Sequence, residues 1–365
     1  MEVSMKTLLL GDVSPTKVTA PFFAEQNLSA LFGETLSLFE KRDFIFVNLE
    51  CALTDSSNTI PKFGPHLKAP KETAAVLKKL GVDCCGWSNN HIFDFGIEGI
   101  RDTVDALNEA SIDYTGFGNN YEDSRKNYTV ERNGEKICLI AVCEHEYSYA
   151  LEDRMGSRPY DEYDTIEDIR KAKAEYDRVI VIYHGGKEHS RYPSPRLRKL
   201  CRAMAKNGAD VVLCQHSHCI GAYEQYEGCH ILYGQGNFHF VRPDIARETW
   251  HTSLAVEYDT LSHEIAFVPI KEVETGIDLA RGEEKEAIMT AFEARNQQLQ
   301  NGEWKQEWHN FCIENQKTYL KAIGNACNEN STQWDNDLFS HFLDCEAHTD
   351  VWREWFPSYN LTNEK

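Results

Sequence analysis

Short apolar runs recur through the first part of the chain, and stretches of helical spacing lie between them. Residues 7–10, 44–47, 82–86, 136–143, 178–183 and 209–214 read as buried strands. Residues 28–40 set Leu28, Leu31, Phe32, Leu36 and Phe39 at helical intervals, with Gly33 inside the pattern. Residues 72–80, closed by Gly81, and residues 97–110 and 165–176 are further helices. Ser194 caps another, which starts at Pro195 and runs to about Asn207. Hairpins are expected at Asn133-Gly134 and at Glu227-Gly228. Residues 250–258 and 264–270 alternate like antiparallel strands. Strands alternating with helices define an α/β fold as far as about Ile270. The chain shows no internal repeat and no low-complexity run.

The pattern changes near Ala280. Trp304, Trp308 and Phe311 make one helical stripe, and Tyr319 and Leu320 continue it. Later helical pieces carry Trp334, Phe339, Phe342, Trp352 and Trp355. Such aromatics need a surface to bury against. Two parts follow, a main domain over residues 1–271 and a helical extension over residues 272–365. The extension is expected to pack on the main domain as cover; a lid, or a face for oligomerisation, is the alternative.

Charge narrows the function. The 365-residue chain has a net charge of -20, which argues against nucleic-acid binding through a basic surface. An anionic small molecule or polymer remains a suitable substrate where metal ions reverse the local field. The opening residues 1–12 hold only a short apolar run interrupted by Asp12, so a cytoplasmic protein without a membrane anchor is expected. The 12 cysteines form no C-x-x-C pair, and several lie within apolar runs. They read as reduced, buried small hydrophobes.

Candidate chemistry gathers at strand ends. Asp12, Glu50, Asn90-His91, His184, and His216 with His218 all follow strand-like runs. Active sites of open α/β sheets lie at such carboxyl ends. In an extended turn His216 and His218 would point the same way. Two carboxylates, one amide and four imidazoles suit a pair of divalent ions sharing a carboxylate, with manganese, iron or zinc favoured. Water on such ions loses its proton near neutral pH and becomes a nucleophile. A zinc site from Cys214, His216, His218 and Cys219 is a weaker alternative, because Cys214 should point back into the sheet. The polar loop over residues 54–70 carries Lys62, His66 and Lys68, the first concentration of positive charge.

Gly11-Asp12, Asn48-Leu49-Glu50, Asn89-Asn90-His91 with Asp94 and Gly96, His184-x-Gly186-x-Glu188, His216-x-His218 and Gly236-Asn237-Phe238 form an ordered series. The series resembles the CapA (poly-gamma-glutamate capsule biosynthesis) family of calcineurin-like metallophosphoesterases, over about residues 6 to 270. Leu67-Lys68-Ala69-Pro70 is similar to a basic loop motif of that family. The resemblance implies a four-layer αββα sandwich with a dinuclear metal centre, and leaves the helical extension unexplained. It implies that Asp12 and His218 bind one metal, that Glu50 bridges, and that Asn90, His184 and His216 bind the other. His91 would be the general acid or a phosphate contact, and Lys68, Glu188 and Arg191 would line the substrate site. Ser14 stands where the superfamily's D-x-H motif has histidine, and Gln215 stands where glycine is usual. The expected function is a metal-dependent hydrolase, foremost a phosphoesterase using metal-bound hydroxide. The alternatives are hydrolysis of a poly-gamma-glutamate or related amide, and a binding protein of capsule biosynthesis.

Overall fold

Period-two alternation within the buried strands decides how the layers stack. In the Lys6–Val13 strand, Leu8 and Leu10 join a core with Val76, Leu77, Ile100 and Leu107 of two helices. Leu9 between them joins a different core, with Ile180, Ile182 and Leu213 of a second sheet. In the Arg178–His184 strand, Ile180 and Ile182 share that inter-sheet core, while Val179, Val181 and Tyr183 pack outward against Leu197, Leu200 and Met204. One strand therefore feeds two cores, and the layers run helix, sheet, sheet, helix. This four-layer α/β sandwich is the architecture of the computed structural model, which describes residues 4–144 and 147–355.

The first sheet is ordered Gly276–Leu279, Ile265–Val273, Thr252–Asp259, Lys6–Val13, Phe44–Leu49, Cys84–Gly86, Asp113–Thr115, with Asn237–His239 beside the end of Lys6–Val13. The second runs Tyr223–Tyr226, Cys229–Leu232, Val211–Gln215, Arg178–His184, Glu135–Cys143, Tyr128–Arg132. The central strands of both are parallel, so their carboxyl ends fall on one edge. Register keeps those ends level: Asp12 lies opposite Asn48, Asn48 opposite Gly86, and His184 opposite Gln215. Gly11 permits a close approach there, since a Cβ on it would stand 2.4 Å from the carbonyl oxygen of Gly236.

Both expected hairpin turns form with positive φ at each central residue, Asn133-Gly134 and Glu227-Gly228. Ser194 caps the Pro195–Lys206 helix by accepting from the Leu197 amide. The single helix expected over residues 28–40 does not form. Gly33 takes φ of +43°, and the Glu34 amide donates to the Asp278 carboxylate. The segment splits into a Leu28–Phe32 helix and a tighter Gly33–Phe39 3-10 helix. The cysteines are free thiols, and all but Cys327 are buried. No described helix is long and apolar enough to cross a membrane.

The first sheet continues through Leu279, past the expected boundary at residue 271, and helices begin at Gly282. Among the described residues four helices follow, Gly282–Asn301, Trp304–Ala326, Gln333–Asp344 and Glu346–Trp355. Trp304, Trp308, Tyr319, Phe342 and Val351 complete the outer core of the second sheet. Leu320 does not extend the stripe and is 52% exposed, because it lies one residue beyond the buried face that Tyr319 occupies.

Ile182 is wedged between the two sheets. Ile182→Ala should lower unfolding free energy by about 2–5 kcal/mol, and Leu320→Ala by less than about 0.5 kcal/mol. Urea titration of the two variants checks this, and equal costs would contradict the layer assignment.

Candidate metal centre

The level strand ends place their polar residues around one point. Asp12, Glu50, Asn90, His184, His216 and His218 are all buried there. Asp12, Glu50 and His184 form one cluster, and Glu50, His216 and His218 a second. Within each cluster, one ligand atom per residue lies within 4.8 Å of the others. Glu50 belongs to both.

Glu50 sets the electrostatic problem. Its two carboxylate oxygens are buried and accept no hydrogen bond. Imidazoles approach it, with His184 Nε2 at 3.4 Å and His218 Nε2 at 4.0 Å from Oε1. Burial holds the Glu50 carboxyl above its ordinary range. Burial and then the Glu50 charge push Asp12 up to about 6. His216 is driven well below its usual value by burial and by the neighbouring His184. For His218 burial acts downward, but Glu50 and Asp12 outweigh it and raise the pKa. Two adjacent buried carboxylates, one of them bare on both oxygens, form a cation receptor lacking its positive charge. His216 Nδ1 is likewise buried without a partner. Carboxylate and imidazole donors fit manganese, iron or zinc, so the residues present suit a divalent-metal site.

Neighbouring groups orient these donors. Asn48 Nδ2 donates to Asp12 Oδ1 at 2.7 Å and lies 3.2 Å from His184 Nδ1. Asn237 Oδ1 sits 2.8 Å from His218 Nδ1, which leaves Nε2 turned toward Glu50. The Trp250 ring packs on His218 at 4.6 Å. The extended turn expected across His216 and His218 is absent. Their φ values are +81° and +53°, and the His216 amide donates to Asp12 Oδ2 at 3.2 Å. Left-handed backbone at non-glycine residues is costly, and it concentrates where the surrounding structure fixes a site.

His91 Nδ1 lies 2.7 Å from Asp94 Oδ2, and Asp94 also accepts from the Leu67 amide. Lys62 makes an ion pair with the other Asp94 oxygen, with only 2% of its side chain exposed. Burial alone would raise the Asp94 pKa, but His91 and Lys62 hold it below the ordinary value.

The predicted residues divide into three groups. Asp12, Glu50, Asn90, His184, His216 and His218 converge, with Asn90 Oδ1 3.0 Å from His184 Nε2. The clusters group Asp12 with His184 and His216 with His218, while Asp12 Oδ2 also lies 3.8 Å from His218 Nδ1 and the His184 and His216 ring centroids lie 4.9 Å apart, the pairs that the resemblance implies. Glu188 is half-buried beside this group. Burial opposes its ionisation, but Lys187, His216 and His218 keep it well below its usual range. Lys68 lies apart: its ammonium donates to the carbonyls of Asp55 and Ser56 and sits 5.2 Å from the Phe95 ring centroid. Its neighbour in the loop, Lys62, is the one that reaches His91. Arg191 is exposed beyond the cluster. The cysteine alternative does not form, since Cys214 Sγ faces Cys201 Sγ at 3.6 Å and Cys219 Sγ approaches the Ser190 carbonyl. Sequence reasoning gave no role to Asn48, Lys62, Asp94, Asn237 or Trp250. The available signals were Asn48 two residues before Glu50 and Asp94 three after His91.

The described residues thus build an αββα sandwich with a buried histidine-carboxylate cluster at its strand ends. The chain belongs to the bacterial capsule synthesis protein family PGA_cap, whose model matches residues 6–242. The PGA biosynthesis protein CapA of Bacillus subtilis is 28% identical over 235 residues, covering 63% of this chain and 62% of its own length. The capsule biosynthesis protein CapA of Bacillus anthracis is 32% identical over 181 residues, covering 48% of this chain and 44% of its own. The chain thus spans about half of the length of these relatives. A solved 5'-nucleotidase from Candida albicans aligns with 73% of this chain and 52% of its own, at 10% identity and a TM-score of 0.41.

The carboxylates give metal-free protein a pH dependence. Asp12 changes from 3.8 unfolded to about 6 folded. A raised carboxylate pKa means stability that is full below the unfolded value and lost as pH rises through the folded one. In chelator, unfolding free energy should fall between about pH 4 and pH 7, by at most roughly 3 kcal/mol from this group. Urea midpoints across that range check it. Asp12→Asn should flatten the slope, and an unchanged slope in that variant would assign it elsewhere.

Proposed function

We propose that the protein is a metal-dependent hydrolase acting on phosphoesters. The supporting observation is the buried Glu50 carboxylate, bare on both oxygens and shared by two adjoining donor clusters. Asp12, Glu50, Asn90, His184, His216 and His218 would hold two divalent cations. Such cations, when bound, acidify water and absorb charge on phosphoryl oxygens.

The rest of the work falls to the chain. Asp12 is fixed by Asn48 and His218 by Asn237, so two donors are held before anything binds. With Nδ1–H engaged by Asp94, the Nε2 atom of His91 is left to deliver a proton to the departing oxygen. Lys62 keeps Asp94 ionised and so keeps the imidazole in that orientation. Burial of the whole group excludes bulk water and strengthens each of these interactions.

The names of the relatives favour a second reading of the same centre, in which the substrate is a poly-gamma-glutamate chain and the role is in capsule biosynthesis. A panel of phosphomonoesters and phosphodiesters, run beside a polyglutamate-shortening assay, separates the two. Turnover of a phosphoester alone supports the first, and shortening of the polymer alone supports the second.

Chelation should abolish turnover, and manganese, iron or zinc should restore it; full activity in metal-free protein would sink the proposal. His91→Ala should lower kcat by about 10²–10⁴-fold with metal content unchanged. Elemental analysis beside steady-state kinetics reads both quantities. An unaltered kcat would remove His91 from the proton-transfer step.

A further inference from the structure

The last described helix of the extension, Glu346–Trp355, places a buried carboxylate against the start of the Pro195–Lys206 helix. This is Asp350, which accepts from Arg196 Nε at 2.9 Å and from the Ser194 hydroxyl at 2.6 Å. The Arg196 guanidinium also pairs with Glu144, which follows the Glu135–Cys143 strand and is buried. The other carboxylate oxygen of Glu144 accepts from the Gly186 amide, and the Glu144 amide donates to the His184 carbonyl at 2.9 Å. A continuous run of hydrogen bonds therefore joins Asp350 to the backbone on both sides of Gly185.

The turn after His184 has little slack. A Cβ on Gly185 would stand 2.5 Å from Glu144 Cβ, and one on Gly186 would stand 2.9 Å from Leu197 Cδ2. Glu144 and the helix that carries Arg196 thus press on the turn from two sides. The Gly185 amide donates to the Gln215 carbonyl at 3.2 Å, one residue before His216. Two strands that end in metal donors therefore meet at this turn, and Glu188 leaves it. Holding the extension in place does not call for such a network, because Trp304, Trp308 and Phe342 already bury against the second sheet. A buried ion pair is weak evidence for stability, since apolar residues of the same volume often do as well. What the network adds is a defined position for the turn.

We propose that Asp350, Arg196 and Glu144 are positioning residues for the metal centre, through which the extension fixes the turn after His184 and so the imidazole of His184 as a donor. They act on the donor through its backbone, as outer groups that orient a ligand do. Asp350 lies outside the matched residues 6–242, so part of the support of the centre comes from the extension. That the turn serves metal binding rests on the reading above; the link between the extension and the turn does not.

The test uses the full-length chain with Asp350→Asn and Arg196→Met, and Phe292→Ala as a control. Phe292 belongs to the extension but packs on Tyr223 and Phe267. Amide exchange over residues 184–188 is followed in chelator. Manganese binding to the metal-free protein is titrated by calorimetry, below the thermal midpoint of every variant. Asp350→Asn and Arg196→Met should speed exchange at Gly186 by at least about tenfold and weaken manganese binding by about 10–100-fold. Phe292→Ala should lower the thermal midpoint and leave both quantities unchanged. Unchanged manganese affinity in the first two variants overturns the proposal, and so does a loss in all three that follows the midpoint. Wild-type protein that binds manganese yet hydrolyses no ester keeps the positioning role and loses the hydrolase reading. Wild-type protein that takes up no metal overturns both.

Discussion

The burial of Glu50 and Asp12 within reach of one another is the constraint on which the site depends. Neither carboxylate is exposed, and Glu50 accepts no hydrogen bond. A cluster of this kind is unfavourable on its own account, and the surrounding fold must over-determine it. Several features are explained by that requirement. Parallel strands are held level by hydrogen-bond register. Gly11 lets the Gly236 backbone close in, which brings Asn237 alongside Asp12. His216 and His218 accept left-handed backbone so that the His216 amide can meet the Asp12 carboxylate. Each is a local cost, and the three cores of the sandwich hold them in place.

How much of this could be read from the sequence follows from the range of each interaction. Strand alternation is local, so the layers were legible: Leu8 and Leu10 against Leu9 already assign two faces. The converging residues were legible because parallel strands carry their ends to one edge, and a polar residue after an apolar run marks that edge. The turn carrying His216 and His218 was not legible, since its left-handed backbone goes with the His216 amide reaching the distant Asp12 carboxylate. Lys62 and Lys68 are equally plausible in sequence, and only the path of the loop sends one to Asp94 and the other to the Asp55 and Ser56 carbonyls. Gly33 shows the same limit for the fold. Helical spacing was present, but the Asp278 carboxylate that captures the Glu34 amide lies far along the chain.

Charge is distributed with the same logic. A chain of net charge -20 repels anions at long range. Close to the centre, Lys62 brings a buried positive charge to Asp94 and His91. Short-range positive charge within an acidic surface selects an anion by direct contact rather than by long-range steering. That arrangement suits a site that must hold one group in a defined position.

The helical extension lies beyond the family match, which ends at residue 242, yet it is bound to the segments that carry the site. Arg196 follows the His184 loop and pairs with Glu144 on one side and Asp350 of the extension on the other. Asp350 also accepts from Ser194, the residue that caps the Arg196 helix. Burial lifts the Glu144 carboxyl to about 7 even with Arg196 beside it, so this network is costly and tolerates little displacement. At the other end, Phe63 lies next to Lys62 in sequence, stacks on His341 and meets Trp334 of the extension at a tilt. Trp334 is 57% exposed and has no core to join, so Phe63 is its main apolar partner. Two loops beside the cluster, one bearing Lys62 and one following His184, therefore take their conformations partly from helices outside the matched region. The extension packs as one body with the centre, and its first helix is tied to the segment after His189 by the Tyr192–Gln298 hydrogen bond.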